Sequence, residues 1–214
     1  MYFRVKAKRI LVIGLVATLL FGMGFIHREY AFAERLVKEY IEMSFLYDAI
    51  GSRTATLKGN IDHLVTNDRL AVRDVVYTRQ SVRACFDAFV EARGCANTYI
   101  LAQRHKVFPP DRIKYNGEEI LFEGLLELYE ASYNLEDALQ VFENSLLRVL
   151  EDPALFEKLG KCLPLVLADI EWLEKEIPDF TACDGDLEGI VFNYFMFLKR
   201  IDSQSQSFFS SLTD

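Results

Sequence analysis

An all-α fold is predicted by three features of this chain. Proline and glycine are sparse, five and eleven among 214 residues, so long stretches carry no helix breaker. Along most of those stretches apolar residues recur at three- and four-residue spacing. Apolar side chains make up 51% of the composition, with 17 Phe and 10 Tyr, which is enough to build a packed core. The expected architecture is a single N-terminal transmembrane helix followed by a bundle-like helical domain of about five to seven helices.

The membrane element comes first. Residues 1–9 form a basic flank with Arg4, Lys6, Lys8 and Arg9. Residues 10–26 (ILVIGLVATLLFGMGFI) then run for 17 positions without a charge. That is the lower limit for crossing a hydrocarbon layer of ~30 Å at ~1.5 Å per residue. Tyr2 and Phe3 on one side, and Tyr30 and Phe32 on the other, suit the two interfaces. Gly14, Thr18 and Gly22 recur every four residues, so they share the face on which a second helix packs closely. The basic flank outweighs Arg28, Arg35 and Lys38 on the far side, which orients the N-terminus to the cytoplasm and the folded domain to the extracytoplasmic side. Ala31-Phe32-Ala33 also fits signal-peptide cleavage after Ala33. The apolar run exceeds the usual ~7–15 residues of such a peptide, and His27, Arg28 and Glu29 put charge just before that site, so a retained signal anchor is the expectation.

The remaining segments follow from periodicity and punctuation. Residues 27–50 read as a helical extension of the anchor, with Phe32, Leu36, Val37, Tyr40 and Ile41 on one side. The soluble domain is expected at 51–204. Gly51–Asn60 (GSRTATLKGN) reads as a polar loop, 61–93 as a helix with Gly94 placed to cap it, and 96–105 either as an extension of that helix or as a short second one. The stretch 107–117, with Pro109-Pro110 and Asn116-Gly117, reads as a long irregular connection. Helices are expected at 118–130 and 134–151. Another starts at Asp152-Pro153 and ends or bends at Gly160. A further one runs from Leu163-Pro164 to Ile177, stopped by Pro178, and a last one covers 187–203. The Ser/Gln-rich segment 205–214 reads as a fraying tail, with Phe208 and Phe209 as its candidates for docking.

Charge divides the chain. Residues 53–115 carry eleven Lys/Arg against six Asp/Glu, and residues 116–190 carry four against nineteen. Halves of opposite sign either pair within the fold or present separate faces to partners. Arg69, Arg73, Arg79 and Arg83 fall within about 120° of one another on a helix. They form either a basic contact face, for phosphates or an acidic helix, or an internally paired one. The net charge of −8 speaks against a nucleic-acid partner.

Little points to catalysis. Cys85, Cys95, Cys162 and Cys183 allow two disulfides, for which the local pairing is Cys85–Cys95 with Cys162–Cys183; four reduced, buried thiols are the alternative. His27, His63 and His105 form no HxxxH or HExxH pair. Asp184-Gly-Asp-Leu-Glu188 lacks the spacing of a calcium loop and reads as a helix cap. Neither a nucleophile elbow nor a phosphate-binding loop is present. The expectation is a non-enzymatic protein without cofactor or metal, an accessory or scaffold subunit of a membrane complex. Its partners would be the lipid bilayer and other membrane-protein subunits, or copies of itself; any small-molecule ligand is open. The alternatives are an extracytoplasmic helical sensor domain, or an anchored effector with a cytoplasmic domain.

Overall fold

The structure, a computed structural model, describes residues 18–24, 26–29, 31, 44–67, 71–104, 110–183 and 186–212. The body of the chain is all-α, with one small hairpin. Five long helices follow one another: α1 (Ser44–Thr66), α2 (Val72–Arg104), α3 (Leu125–Glu151), α4 (Phe156–Glu176) and α5 (Leu187–Ser205). Strands β1 (Arg112–Tyr115) and β2 (Glu118–Leu121) lie between α2 and α3.

Buried residues explain why these segments pack. On α1 they fall at Tyr47, Ile50, Thr54, Leu57, Ile61 and Leu64, and on α2 at Val75, Thr78, Val82, Cys85, Phe89, Ala92, Ala96 and Tyr99. Both series alternate steps of three and four, the seam of a coiled coil. Helix α4 repeats the pattern with Leu159, Leu163, Val166, Ile170 and Leu173. Helices α1 and α2, and α2 and α3, run antiparallel: Tyr47 Oη donates to the Ala92 carbonyl at 2.8 Å and Arg93 meets Glu136; α4 packs back on α1, where Lys58 meets Glu174. The core is aromatic, with Tyr47 and Tyr194 edge to face and Phe89 stacked on Phe197.

Several expected boundaries are corrected. The segment 51–60 is helical and lies inside α1. Its core side chains, Thr54 and Leu57, are too few and too widely spaced to show through the polar residues between them. The helix expected over 61–93 instead begins at Val72, after a break that includes Asn67 and Ala71, and Gly94 does not cap it: α2 continues to Arg104. Residues 118–121 are a strand, and one helix, α3, replaces the two expected over 118–151, because Ala131 and Ser132 are buried where a break was expected. Helix α4 passes through Gly160 and Pro164 without stopping. Proline removes one donor there, and Gly160, four residues earlier, is where its ring would crowd the carbonyl. Pro178 does mark the end of α4, with Ile177 extended at φ −64°, ψ 122°.

Asn116 and Gly117 both take positive φ, 50° and 83°, the geometry of a tight two-residue hairpin turn. The hairpin lies on α5, where Tyr115 packs so closely on Gly189 that no Cβ fits between them. The C-terminal segment does not fray through residue 212. Phe208 and Phe209 are buried, Phe208 against Trp172 and Phe209 against Phe142, and the Phe209 N–H donates to Asp169 Oδ2 at 2.9 Å.

Candidate functional site

The N-terminal segment is helical at residues 18–24, 26–29 and 31. Its apolar side chains are uncovered: Leu19, Leu20, Phe21 and Met23 are 58%, 65%, 80% and 66% exposed. A Cβ added to Gly22 would meet nothing within 4 Å. Gly14, the first residue of the small-residue face, lies outside the described residues. Among the described residues, no helix is long and apolar enough to cross a membrane. Residues 10–17 and Phe25 of the apolar run lie outside that description.

The basic stripe of α2 is split. Arg79 Nη2 donates to Glu143 Oε1 at 3.1 Å, and Arg83 reaches Glu143 at 3.6 Å and Asp87 at 3.2 Å. Further along, Arg93 grips Glu136 with two parallel bonds of 2.7 and 2.8 Å. Among the described residues this pair is the most enclosed of the ion pairs, with side chains 17% and 7% exposed. Ser132 donates to Glu136 at 3.0 Å and meets Tyr194 Oη at 3.2 Å, while Arg93 lies over the Tyr133 ring at 4.3 Å. The Glu136 hydrogen bonds push the Arg93 pKa further up, and burial pushes up that of Tyr194. Three arginines of the basic half are therefore joined to two carboxylates of the acidic half between α2 and α3. Arg69 lies outside the described residues.

Arg73 behaves differently. It stacks over the ring of Tyr77 at 5.2 Å, and among the described residues it has no carboxylate within 4 Å. Arg53 on α1 also lacks one there; its Nη1 donates to the Ala84 carbonyl at 3.0 Å. These two arginines mark the ends of an open groove between α1 and α2. It comprises two cavities of about 320 and 360 Å³ that share Asn60 and Tyr77. Thr56, Gln80 and Ser81 line the Arg53 end, and His63, Asp74 and Thr78 line the Arg73 end. Asn60 donates to Ser81 across the helix pair, and His63 Nε2 lies 3.8 Å from Asp74. Tyr77 stands between the two ends, 46% exposed. Of these residues only Arg73 belongs to the expected basic face. The others were legible once α1 is known to be a helix: residues 53, 56, 60 and 63, and 73, 77, 80 and 84, form second stripes of three-four spacing beside the core seams.

The four cysteines are free thiols. The expected Cys85–Cys95 bridge is excluded by the continuity of α2, because ten helical residues separate the two by about 15 Å, whereas a disulfide needs Cα atoms within about 7 Å. Cys162 and Cys183 are engaged elsewhere: Cys162 Sγ donates to the Ser211 carbonyl at 3.1 Å, and Asn193 Nδ2 donates to Cys183 Sγ at 3.0 Å. Burial raises the pKa of Cys85 and Cys95 to about 11.

His27 is exposed, His63 lies in the groove, and His105 falls outside the described residues. No group of three or more His, Cys, Asp or Glu that could hold a metal ion occurs among the described residues. Asp186 caps α5, its Oδ1 accepting from Glu188 N at 3.1 Å; Asp184 lies outside the described residues. No family model, curated protein or solved structure matches this chain.

Proposed function

We propose that this chain is a non-enzymatic, membrane-tethered helical domain that serves as an accessory or scaffold subunit of a membrane-associated complex. One observation carries the reading. The helical residues Leu19, Leu20, Phe21 and Met23 turn large apolar side chains outward in several directions, each more than half exposed, and they belong to the uncharged run 10–26. Water penalises such a surface by roughly 25 cal/mol per Å², and lipid removes that penalty. The five-helix body supports the second half of the reading. Its α1–α2 groove faces outward and carries two arginines without a carboxylate partner among the described residues, which suits contact with another protein.

The tether is tested with Leu20→Arg in the full chain. A charge at the centre of a span costs about 2.5–3.5 kcal/mol on insertion scales. The wild-type chain is expected to stay in the membrane pellet after alkaline carbonate extraction, and the variant to move substantially into the supernatant. A wild-type chain that is released by carbonate without detergent would end the proposal. The side of the membrane follows from a reporter fused after Asp214. The basic N-terminal flank supports an extracytoplasmic domain. A second reading, with the domain on the cytoplasmic side, draws on the four free thiols, which suit a reducing compartment.

A further inference from the structure

The arginines of α1 and α2 divide into two kinds. Arg79, Arg83 and Arg93 each meet a carboxylate of the bundle, whereas Arg53, Arg73 and Arg104 have none within 4 Å among the described residues; of these three, Arg53 and Arg73 line the groove. Yet carboxylates are in excess in this chain, 32 Asp and Glu against 24 Lys and Arg. Cations left without a carboxylate of their own in an acidic protein are available to one from outside, and Arg53 and Arg73 flank the same groove.

The spacing of the two cations decides what kind of anion fits. Arg53 is tied to Ala84, eleven residues along α2 from Arg73. At ~1.5 Å per residue this separates the ends of the groove by about 16 Å along the helix. A single phosphate or carboxylate cannot reach both. An extended peptide advances ~3.3 Å per residue and turns alternate side chains to one face, so acidic side chains four positions apart, about 13 Å, span the distance with the reach of the glutamate and arginine side chains. The floor between them suits a polypeptide: Asn60 and Gln80 offer amides for main-chain hydrogen bonds, and Tyr77 offers an exposed ring face. Asp74 sits at the Arg73 end facing His63, which lowers the positive charge there and favours a single carboxylate over a doubly charged group.

We infer that the α1–α2 groove is a docking site for an acidic peptide segment of a partner protein, held in extended form with one carboxylate at Arg53 and another at Arg73. This names the partner chemistry for the interaction role proposed above. It does not depend on whether the N-terminal helix lies in lipid, so carbonate extraction and peptide binding fail independently.

The test uses the full chain in neutral detergent and fluorescently labelled ten-residue Gly/Ser peptides, read by anisotropy at low salt. One peptide carries two glutamates four positions apart, a second carries them adjacent, and a third has glutamine in their place. The spaced peptide is expected to bind best, and more weakly as salt rises. The double variant Arg53→Gln/Arg73→Gln is expected to lose roughly three- to tenfold in affinity, the sum of two exposed ion pairs. Lys161→Gln, which removes an equal type of charge from α4, is expected to leave it unchanged. Because Arg53 also bonds Ala84, the exposed single variant Arg73→Glu gives an independent reading that leaves that bond in place, and it should lose affinity as well. Equal binding of the glutamine or adjacent-glutamate peptide, retained affinity in both groove variants, or an equal loss in Lys161→Gln overturns the proposal.

Discussion

Arg93 and Arg73 lie on the same helix, twenty residues apart, and the chain treats them in opposite ways. Arg93 is enclosed, bonded twice to Glu136, and joined through that carboxylate to Ser132 and Tyr194. Arg73 stands at the rim of a groove over an exposed tyrosine. The difference shows that charge at one place holds the bundle together, while charge at the other is left over from that task. Residue type and spacing alone do not separate the two, since both sit in the basic half of the sequence.

The largest effect is expected at the enclosed pair. Arg93→Met would leave the Glu136 carboxylate buried without its cation, which costs about 3–5 kcal/mol. For a domain of this size that lowers Tm by roughly 10 °C or more, measurable by circular dichroism. Adding Glu136→Leu removes the stranded charge and should recover most of the loss, since hydrophobic replacements of buried pairs are close to neutral. A small loss in the single variant would mean that Arg93 belongs with Arg73 and that the contrast between them is false.

Much of this arrangement was legible before any coordinates. The all-α class, the end of α4 at Pro178 and the last helix near 187–203 follow from spacing and punctuation, whereas the split of charge along the chain left internal pairing and separate faces both open. What failed has a common cause. Gly51 and Gly59 suggested a loop, but the three- and four-residue steps through Tyr47, Ile50, Thr54, Leu57 and Ile61 bury enough side chain to override two glycines in an otherwise ordinary helix. Asn116-Gly117 announced a turn, but the four-residue strands beside it are too short to show an alternation. The groove was hidden for the first of these reasons. With 51–60 read as a loop, Arg53, Thr56 and Asn60 had no face to share.

A middle-sized effect sharpens the comparison from the acidic side. Asp169, unlike Glu136, is met by the Phe209 N–H. Burial raises its pKa above the ordinary 3.8, and that hydrogen bond opposes the rise. A carboxyl whose folded pKa is raised contributes fully to stability below about pH 3.8 and loses that contribution as the pH climbs through the raised value. Asp169→Asn keeps an acceptor for Phe209 without the charge. It is expected to be as stable as wild type at pH 7, or more stable by under about 1 kcal/mol, and to remove this part of the pH dependence. A clear loss of stability at pH 7, seen in urea titrations, would show that the charged hydrogen bond outweighs desolvation.

The smallest expected effect bears most directly on the contrast. Arg73→Gln removes a cation that stabilises nothing buried: its contact is the ring of an exposed tyrosine, and cation–π pairs at exposed sites contribute about 0.5–1 kcal/mol. Glutamine keeps part of that packing, so the loss in urea unfolding should stay below about 0.5 kcal/mol, an order of magnitude less than at Arg93. Stability that barely moves, together with weakened peptide binding, would mean that the residue is held for contact and not for folding. A loss comparable to that of Arg93→Met would instead make Arg73 part of the packing between α1 and α2, and the groove would then be a by-product of two helices meeting at an angle.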